Sequence, residues 1–143
     1  MSMTIQHQLR IDAPVARVYE AIATADGIST WWDKQTPRQT ERGLVLEHNP
    51  GPEHGIVKLR VVELIPNERV EWECISTHPA SSPASVWTGT HFIFEMAERG
   101  DGATAVDFRQ TGYDEGSAFF SSNKDAWGQV LQNLKHVVES QSG

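Results

Sequence analysis

The sequence predicts an α+β domain in which an antiparallel sheet packs against a long C-terminal helix. Between Thr40 and Tyr113, segments that alternate apolar and polar side chains follow one another, the pattern of strands with one buried face. Short turn sequences separate these segments, which favours antiparallel pairing of consecutive strands. From Ser122 to Ser140 the apolar residues instead recur at helical spacing.

The chain opens with a predicted strand and two predicted short helices. Apolar and polar residues alternate from Thr4 to Ile11, as in a half-buried strand. Pro14 then stands in the first turn of a helix, where its missing N–H group is tolerated. Asp26-Gly27 interrupts this helix, and we predict a single helical turn from Ile28 to Trp32. The apolar stripe of the first helix consists of Val15, Val18, Tyr19 and Ile22.

Five strands and a helix complete the predicted order of elements. Turns built from Pro, Gly, Asn and Asp separate the strands. Ser122 and Asp125 at the start of the last helix are similar to a capping box, and its apolar stripe includes Trp127 and Leu131. The predicted strands are Gly43–His48, Gly55–Ile65, Arg69–Thr77, Val86–Ala97 and Ala103–Tyr113.

The inner face of the predicted sheet is rich in aromatic side chains. Alternation directs Trp72, Phe92, Phe94 and Phe108 inward, and the last helix offers Trp127 toward them. Such a set more often fills an ordinary core than lines a ligand pocket. Periodicity alone leaves both interpretations open. Gly128 beside Trp127 indicates either a close backbone approach or space for a ligand.

Composition limits the classes of function. The chain has 143 residues, 38% hydrophobic and 22% charged, which predicts one globular domain spanning residues 1–143. A formal net charge of −7 with scattered basic residues argues against binding nucleic acid or anionic membranes. The single cysteine and the lack of a signal-peptide pattern lead us to expect a cytoplasmic protein.

The sequence offers little chemistry for catalysis. His48 and His54 form the one tempting metal-ligand pair, without a third His or Cys nearby in the sequence. We therefore predict no metal, no cofactor and no assigned catalytic residue. Tyr113 is the best general-acid candidate if the protein is an enzyme. The polar side chains predicted to point inward suit hydrogen bonding to a ligand, or satisfaction within the sheet: His7, Ser76, Thr88, Thr90, Thr104 and Gln110.

Three stretches carry a resemblance to a known superfamily. They are IDAPVARVYEAIATADGISTWW, VVELIPNERVEWEC and VDFRQTGYDEGSAFFSSNKDAWGQVLQNLKHVVES. Together, and in this order, they resemble the SRPBCC, or START-like, superfamily. Within it they are most similar to the family named for homologues of the activator of the heat-shock chaperone ATPase. The resemblance implies a helix-grip fold, in which a curved antiparallel sheet wraps around the C-terminal helix and encloses a cavity.

The resemblance also suggests what the protein does. Members of the superfamily bind lipids, sterols, polyketides and other apolar molecules, so a hydrophobic small-molecule ligand is the favoured expectation. A polyketide-cyclase-like enzyme and a protein-interaction module are the alternatives, and a homodimer is left open. Trp31 would pack the short helix against the core, and Trp32 would either lie at the cavity mouth or cover a loop. The predicted cavity residues are Trp32, Trp72, Thr90, Phe92, Phe94, Phe108, Gln110, Phe119, Phe120, Trp127 and Leu131.

Overall fold

A computed structural model of the protein, which describes residues 2–52, 54–114 and 119–140, shows one seven-stranded antiparallel sheet. Its strand order is β1-β7-β6-β5-β4-β3-β2. The first strand therefore pairs with the last, and the other neighbours are consecutive hairpins. The strands are β1 (Ser2–Ile11), β2 (Thr36–Thr40), β3 (Gly43–His48), β4 (Val57–Ile65), β5 (Arg69–Cys74), β6 (His91–Glu98) and β7 (Thr104–Asp114).

Three α-helices accompany the sheet: α1 (Val15–Ala23), α2 (Ala25–Ile28) and α3 (Phe120–Ser140). The first two connect β1 to β2, which lie at opposite edges of the sheet. Thr24 caps α2 by accepting a hydrogen bond from Gly27 N at 2.9 Å. A Cβ atom at Gly27 would lie 2.3 Å from Glu20 O, so this glycine allows the two helices to meet. The predicted α+β helix-grip class is confirmed.

Several predicted boundaries were wrong. Six strands rather than five follow the short helices, because Thr36–Thr40 forms an edge strand. Its five residues are all exposed, so it lacks the alternation that marks a buried face. The predicted strand Val86–Ala97 begins instead at His91, after a 3-10 turn at Pro83–Val86. The second helix is Ala25–Ile28, so Asp26-Gly27 lies within it, and it shares only Ile28 with the predicted helical turn Ile28–Trp32.

The C-terminal helix lies across the inner face of the sheet. Trp127, Leu131, Leu134 and Val138 of α3 are buried there. At Gly128 the neighbour is neither a strand backbone nor a ligand space: a Cβ atom would lie 3.2 Å from His7 Cε1. The His7 ring is held there because its Nε2 lies 2.8 Å from Lys124 O.

The outer face of the sheet carries ion pairs. Arg69 forms ion pairs with Glu63 and Glu71 at 2.8 Å and with Glu95 at 3.0 Å. Glu71 also contacts His91 at 2.7 Å. The Arg69 and His91 hydrogen bonds outweigh partial burial and hold the pKa of the Glu71 carboxyl below its usual value. Among the described residues, no helix is long and apolar enough to cross a membrane.

Candidate functional site

Aromatic rings fill the space between the sheet and α3. Trp127 reaches down from α3, with its ring centroid 4.6 Å from that of Phe108 and 5.6 Å from that of Phe92. Phe94 lies 4.9 Å from Phe108 and 5.1 Å from Trp72. Rings at these separations are in contact. The structure thus brings together, as a packed cluster, six residues predicted to line a cavity: Trp72, Phe92, Phe94, Phe108, Trp127 and Leu131.

A chain of hydrogen bonds runs through the interior beside this cluster. The Tyr113 hydroxyl donates to Gln110 Oε1 at 2.7 Å, and Gln110 Nε2 donates to Thr90 Oγ1 at 2.9 Å. The Thr90 hydroxyl in turn donates to Trp87 O at 2.6 Å. Thr90 and Gln110 were predicted to point inward, and both residues are fully buried. Their hydrogen-bonding groups satisfy one another.

Tyr113 is poorly placed for acid–base work in this arrangement. Its side chain is buried, and burial is the main cause that raises the pKa of its phenol. The Trp87 and Asn123 side chains face the hydroxyl and oppose this rise. Phe120 covers Tyr113 in an edge-to-face contact at 5.4 Å. Phe119, the neighbouring predicted cavity residue, lies half-buried just before α3.

The two adjacent tryptophans have different roles. Trp31 is buried, and its indole N–H donates to Ala21 O at 2.8 Å, which fastens the segment after α2 to α1. Trp32 is half-buried and points toward the aromatic cluster, with its ring centroid 4.9 Å from that of Trp127. Its further ring neighbours include Trp72 at 6.3 Å and Trp87 at 6.2 Å. Trp32 therefore forms the end of the cluster.

A cleft of about 170 Å³ opens at this end of the cluster. Trp32 and Trp87 form one corner of it, with their ring planes inclined at 48°. Its floor and opposite wall come from the end of β3, the start of β4 and the 3-10 turn. The lining residues are Trp32, Asp33, His48, Pro50, His54, Val57, Ser82, Pro83, Ala84 and Trp87.

His48 supplies a buried imidazole to the cleft. Its side chain is 1% exposed, and its ring packs on Trp32 with centroids 4.6 Å apart. Burial, and to a lesser extent the nearby His78, lower the pKa of His48 to about 4. The imidazole is therefore neutral near pH 7. Its Nδ1 lies 3.1 Å from Gln35 Oε1.

The contact with Gln35 fixes the tautomer of this imidazole. Gln35 Nε2 donates to Asp33 O at 2.8 Å, so the Gln35 oxygen is the atom that faces His48. An oxygen can only accept, which places the His48 proton on Nδ1. The lone pair is then on Nε2, 3.9 Å from Asp33 Oδ2. That distance is beyond a hydrogen bond, and two acceptors therefore lie side by side at the cleft.

Two further histidines, His54 and His78, form hydrogen bonds on the side of the cleft that contains Ser82. His54 Nδ1 lies 2.7 Å from Ser82 Oγ, which also accepts a hydrogen bond from Ala84 N at 3.1 Å. His78 Nδ1 donates to His54 O at 2.6 Å, and its Nε2 lies 2.8 Å from Ser76 Oγ. Asn123 of α3 donates to Pro83 O at 3.1 Å. These bonds hold the 3-10 turn in place.

Only part of the cleft was predicted from the sequence. Trp32 is the one predicted cavity residue that lines the cleft. Trp87 was missed because it was assigned to a regular strand, and His48 was considered only as a metal ligand paired with His54. Among the described residues, no group of three or more His, Cys, Asp or Glu is arranged to hold a metal ion. Burial raises the pKa of the Cys74 thiol and disfavours its reactive thiolate.

Comparison with known proteins places this architecture in a class. The curved seven-stranded sheet closed by a long C-terminal helix is the helix-grip fold of the SRPBCC superfamily, a ligand-binding fold. Within it, the chain belongs to the family described as Activator of Hsp90 ATPase homolog 1-like protein, which matches residues 12–139. A search of curated protein sequences found no match.

Solved structures show the same fold. The solution structure of the Aha1 dimer from Colwellia psychrerythraea is 25% identical, with a TM-score of 0.80 and 99% of each chain covered. Protein MLL2253 from Mesorhizobium loti is 16% identical, with a TM-score of 0.78, covering 99% of this chain and 100% of that one. CalU16 from Micromonospora echinospora is 15% identical, with a TM-score of 0.75 and coverages of 99% and 78%.

Proposed function

We propose that this protein binds a small apolar or aromatic molecule, and that the ligand occupies the cleft beside Trp32 and Trp87. The observation that carries the proposal is the meeting of two half-buried indoles at a concave site, backed by a fully buried aromatic cluster. Aromatic walls with a few polar atoms are typical of small-molecule sites. The superfamily's ligand-binding fold supports the same function.

The size of the cleft limits the ligand. About 170 Å³ corresponds to about six waters at liquid density, which is room for one substituted ring rather than a sterol. The residues predicted to line a larger cavity would then support the wall instead of touching the ligand. Phe92 and Trp127 contact Trp87 at 5.3 and 6.3 Å and would hold it in place.

Filling the cleft tests the proposal. Ala84 lies in the lining, so Ala84→Leu should abolish the binding of indole and similar probes, measured by calorimetric titration. Ala126→Leu adds the same volume at an exposed position of α3 and should leave binding unchanged. Trp87→Phe, which keeps an apolar wall, guards against misfolding of the first variant and should weaken binding several-fold. Equal binding by all four proteins would refute the cleft as the site.

We also propose that the chain forms a homodimer. The supporting observation is the relative from Colwellia psychrerythraea, which is 25% identical over 99% of the chain and whose solution structure is a dimer. β4 carries two exposed apolar side chains, Val62 and Leu64, which are candidates for the contact. Light scattering during gel filtration should give twice the chain mass of 15.9 kDa. A mass of one chain at micromolar concentration would contradict this proposal.

A further inference from the structure

The polar atoms of the cleft indicate the charge of its ligand. His48 Nε2 and the Asp33 carboxylate are both acceptors, 3.9 Å apart. The Nδ1 of His48 is committed to Gln35 Oε1, so the ring cannot present a proton to the cleft without becoming charged. A neutral or anionic acceptor group on a ligand would find no donor at this pair. A group with two or more N–H bonds would satisfy both acceptors at once.

The walls of the cleft also favour a positively charged ligand. The indole face of tryptophan is the strongest cation–π partner among the side chains, and two indoles, Trp32 and Trp87, form the corner. Among the described residues, no Lys or Arg lines the cleft. Lys34 and Arg38 line an adjoining depression that shares Asp33 and His48 with the cleft, and there Arg38 pairs with Glu47 at 2.8 Å.

We propose that the cleft selects a small organic cation, an aromatic or alkyl ammonium whose N–H groups bind His48 Nε2 and Asp33 while its apolar part lies against Trp32 and Trp87. This inference rests on the proposed binding function and narrows it to one ligand class. His48 contributes a neutral acceptor, and Asp33 contributes the counter-charge at the rim, where its side chain is 47% exposed. The protein's net charge of −7 adds a long-range attraction for cations.

The chemistry separates this class from two close alternatives. A quaternary ammonium would retain the cation–π attraction but has no N–H group for His48 Nε2. A neutral alcohol would retain one hydrogen bond but lose both the charge-assisted contact with Asp33 and the attraction to the indoles. Primary ammonium ligands should therefore bind most tightly, and the order among the three reports which contact dominates.

Calorimetric titration with matched probes tests the inference. Benzylammonium should bind about tenfold more tightly than benzyl alcohol at low ionic strength, with benzyltrimethylammonium between them. Asp33→Asn should remove most of this preference, because it removes the counter-charge assigned to the ammonium group. Asp125→Asn removes the same charge from an exposed position of α3 outside the lining and should keep the preference. Circular dichroism and thermal unfolding establish that each variant is folded.

The outcomes distinguish the inference from the function on which it rests. If benzyl alcohol binds as tightly as benzylammonium to the wild-type protein, the cleft binds small aromatic molecules without selecting a cation, and the inference is overturned alone. If the preference survives in Asp33→Asn, the assigned counter-charge is wrong. If none of the three probes binds, and indole also fails to bind, the proposed function falls as well.

Discussion

The imidazole of His48 packs against the indole of Trp32, with ring centroids 4.6 Å apart, while its Nδ1 faces Gln35 Oε1 at 3.1 Å. The two contacts fix both the plane of the ring and the position of its proton. Trp32 in turn contacts Trp127 of α3 at 4.9 Å. A polar acceptor at the cleft is thereby linked, through two rings, to the helix that closes the sheet.

The free energy of unfolding should fall as the pH is lowered from about 6.5 to about 4, because burial keeps His48 neutral in the folded protein. Its pKa is about 4 in the folded protein against 6.5 ordinarily, so the unfolded chain takes up the proton first. The contribution of the neutral ring is complete above about pH 6.5 and is lost as the pH falls to about 4, a change on the order of 3 kcal/mol.

Urea unfolding at several pH values measures this contribution. His48→Gln should flatten the decline in the free energy of unfolding between pH 6.5 and 4 relative to the wild type. His136→Gln, at an exposed position of α3, should leave the decline intact. Parallel curves for the wild type and His48→Gln would show that His48 is not the group responsible.

Gly128→Ala should fail to give the stabilisation expected of alanine in a helix. The gain in helix propensity is about 1 kcal/mol, but the new Cβ atom would lie 3.2 Å from His7 Cε1. The hydrogen bond from the His7 ring to Lys124 O restrains the ring from moving away. In a His7→Ala background the same substitution should recover about 1 kcal/mol. Thermal unfolding of the wild type, the two single variants and the double variant measures these effects. Strictly additive changes in the free energy of unfolding would contradict the contact between Gly128 and His7.

Tyr113→Phe should destabilise the fold without affecting the ligand. It removes the donor to Gln110 Oε1 and leaves that buried oxygen unsatisfied, at a cost of about 1–3 kcal/mol. Tyr19→Phe is the matched control, because Tyr19 is a half-buried residue of α1. It should lower the free energy of unfolding by less. Binding of indole by folded Tyr113→Phe should equal that of the wild type. Loss of a chemical turnover in this variant would instead identify the protein as an enzyme that uses the phenol.

Gly27→Ala should disrupt the junction of α1 and α2. Its Cβ atom would stand 2.3 Å from Glu20 O, a backbone atom that cannot move independently. We expect a loss of about 2–4 kcal/mol in the free energy of unfolding. Gly100→Ala, where nothing lies within 4 Å of the added atom, should be nearly neutral. Similar effects at the two positions would indicate that the helices separate easily.

The sheet and the long helix could be predicted from the sequence because burial has a period. Val70, Trp72 and Cys74 are buried on β5, with half-buried residues between them, as alternation requires. Strand β2 escaped prediction because all its residues are exposed and it is defined by pairing with β3 alone. Strand β6 starts at His91, later than predicted, because a 3-10 turn at Pro83–Val86 and four further residues outside the strand precede it, which periodicity does not reveal.

The cleft could be predicted only in part, because its residues come from segments that are far apart in the sequence. Trp32 stood out as a second tryptophan beside a buried one. His48 and Trp87 acquire their roles through contacts with residues distant in the sequence, such as Gln35 for His48 and Trp127 for Trp87. The orientation of the His48 lone pair depends on the amide of Gln35, and no local pattern encodes it.

Nuclear magnetic resonance of the indole N–H groups can show whether a ligand binds in the cleft beside Trp32 and Trp87. The protein has five tryptophans, each of which gives a separate signal, and single Trp→Phe variants assign them. On titration with benzylammonium, we expect saturable shifts at Trp32 and Trp87, little change at the buried Trp31, and loss of the shifts in Ala84→Leu. Shifts confined to other tryptophans, or none at millimolar probe, would contradict a ligand site in this cleft.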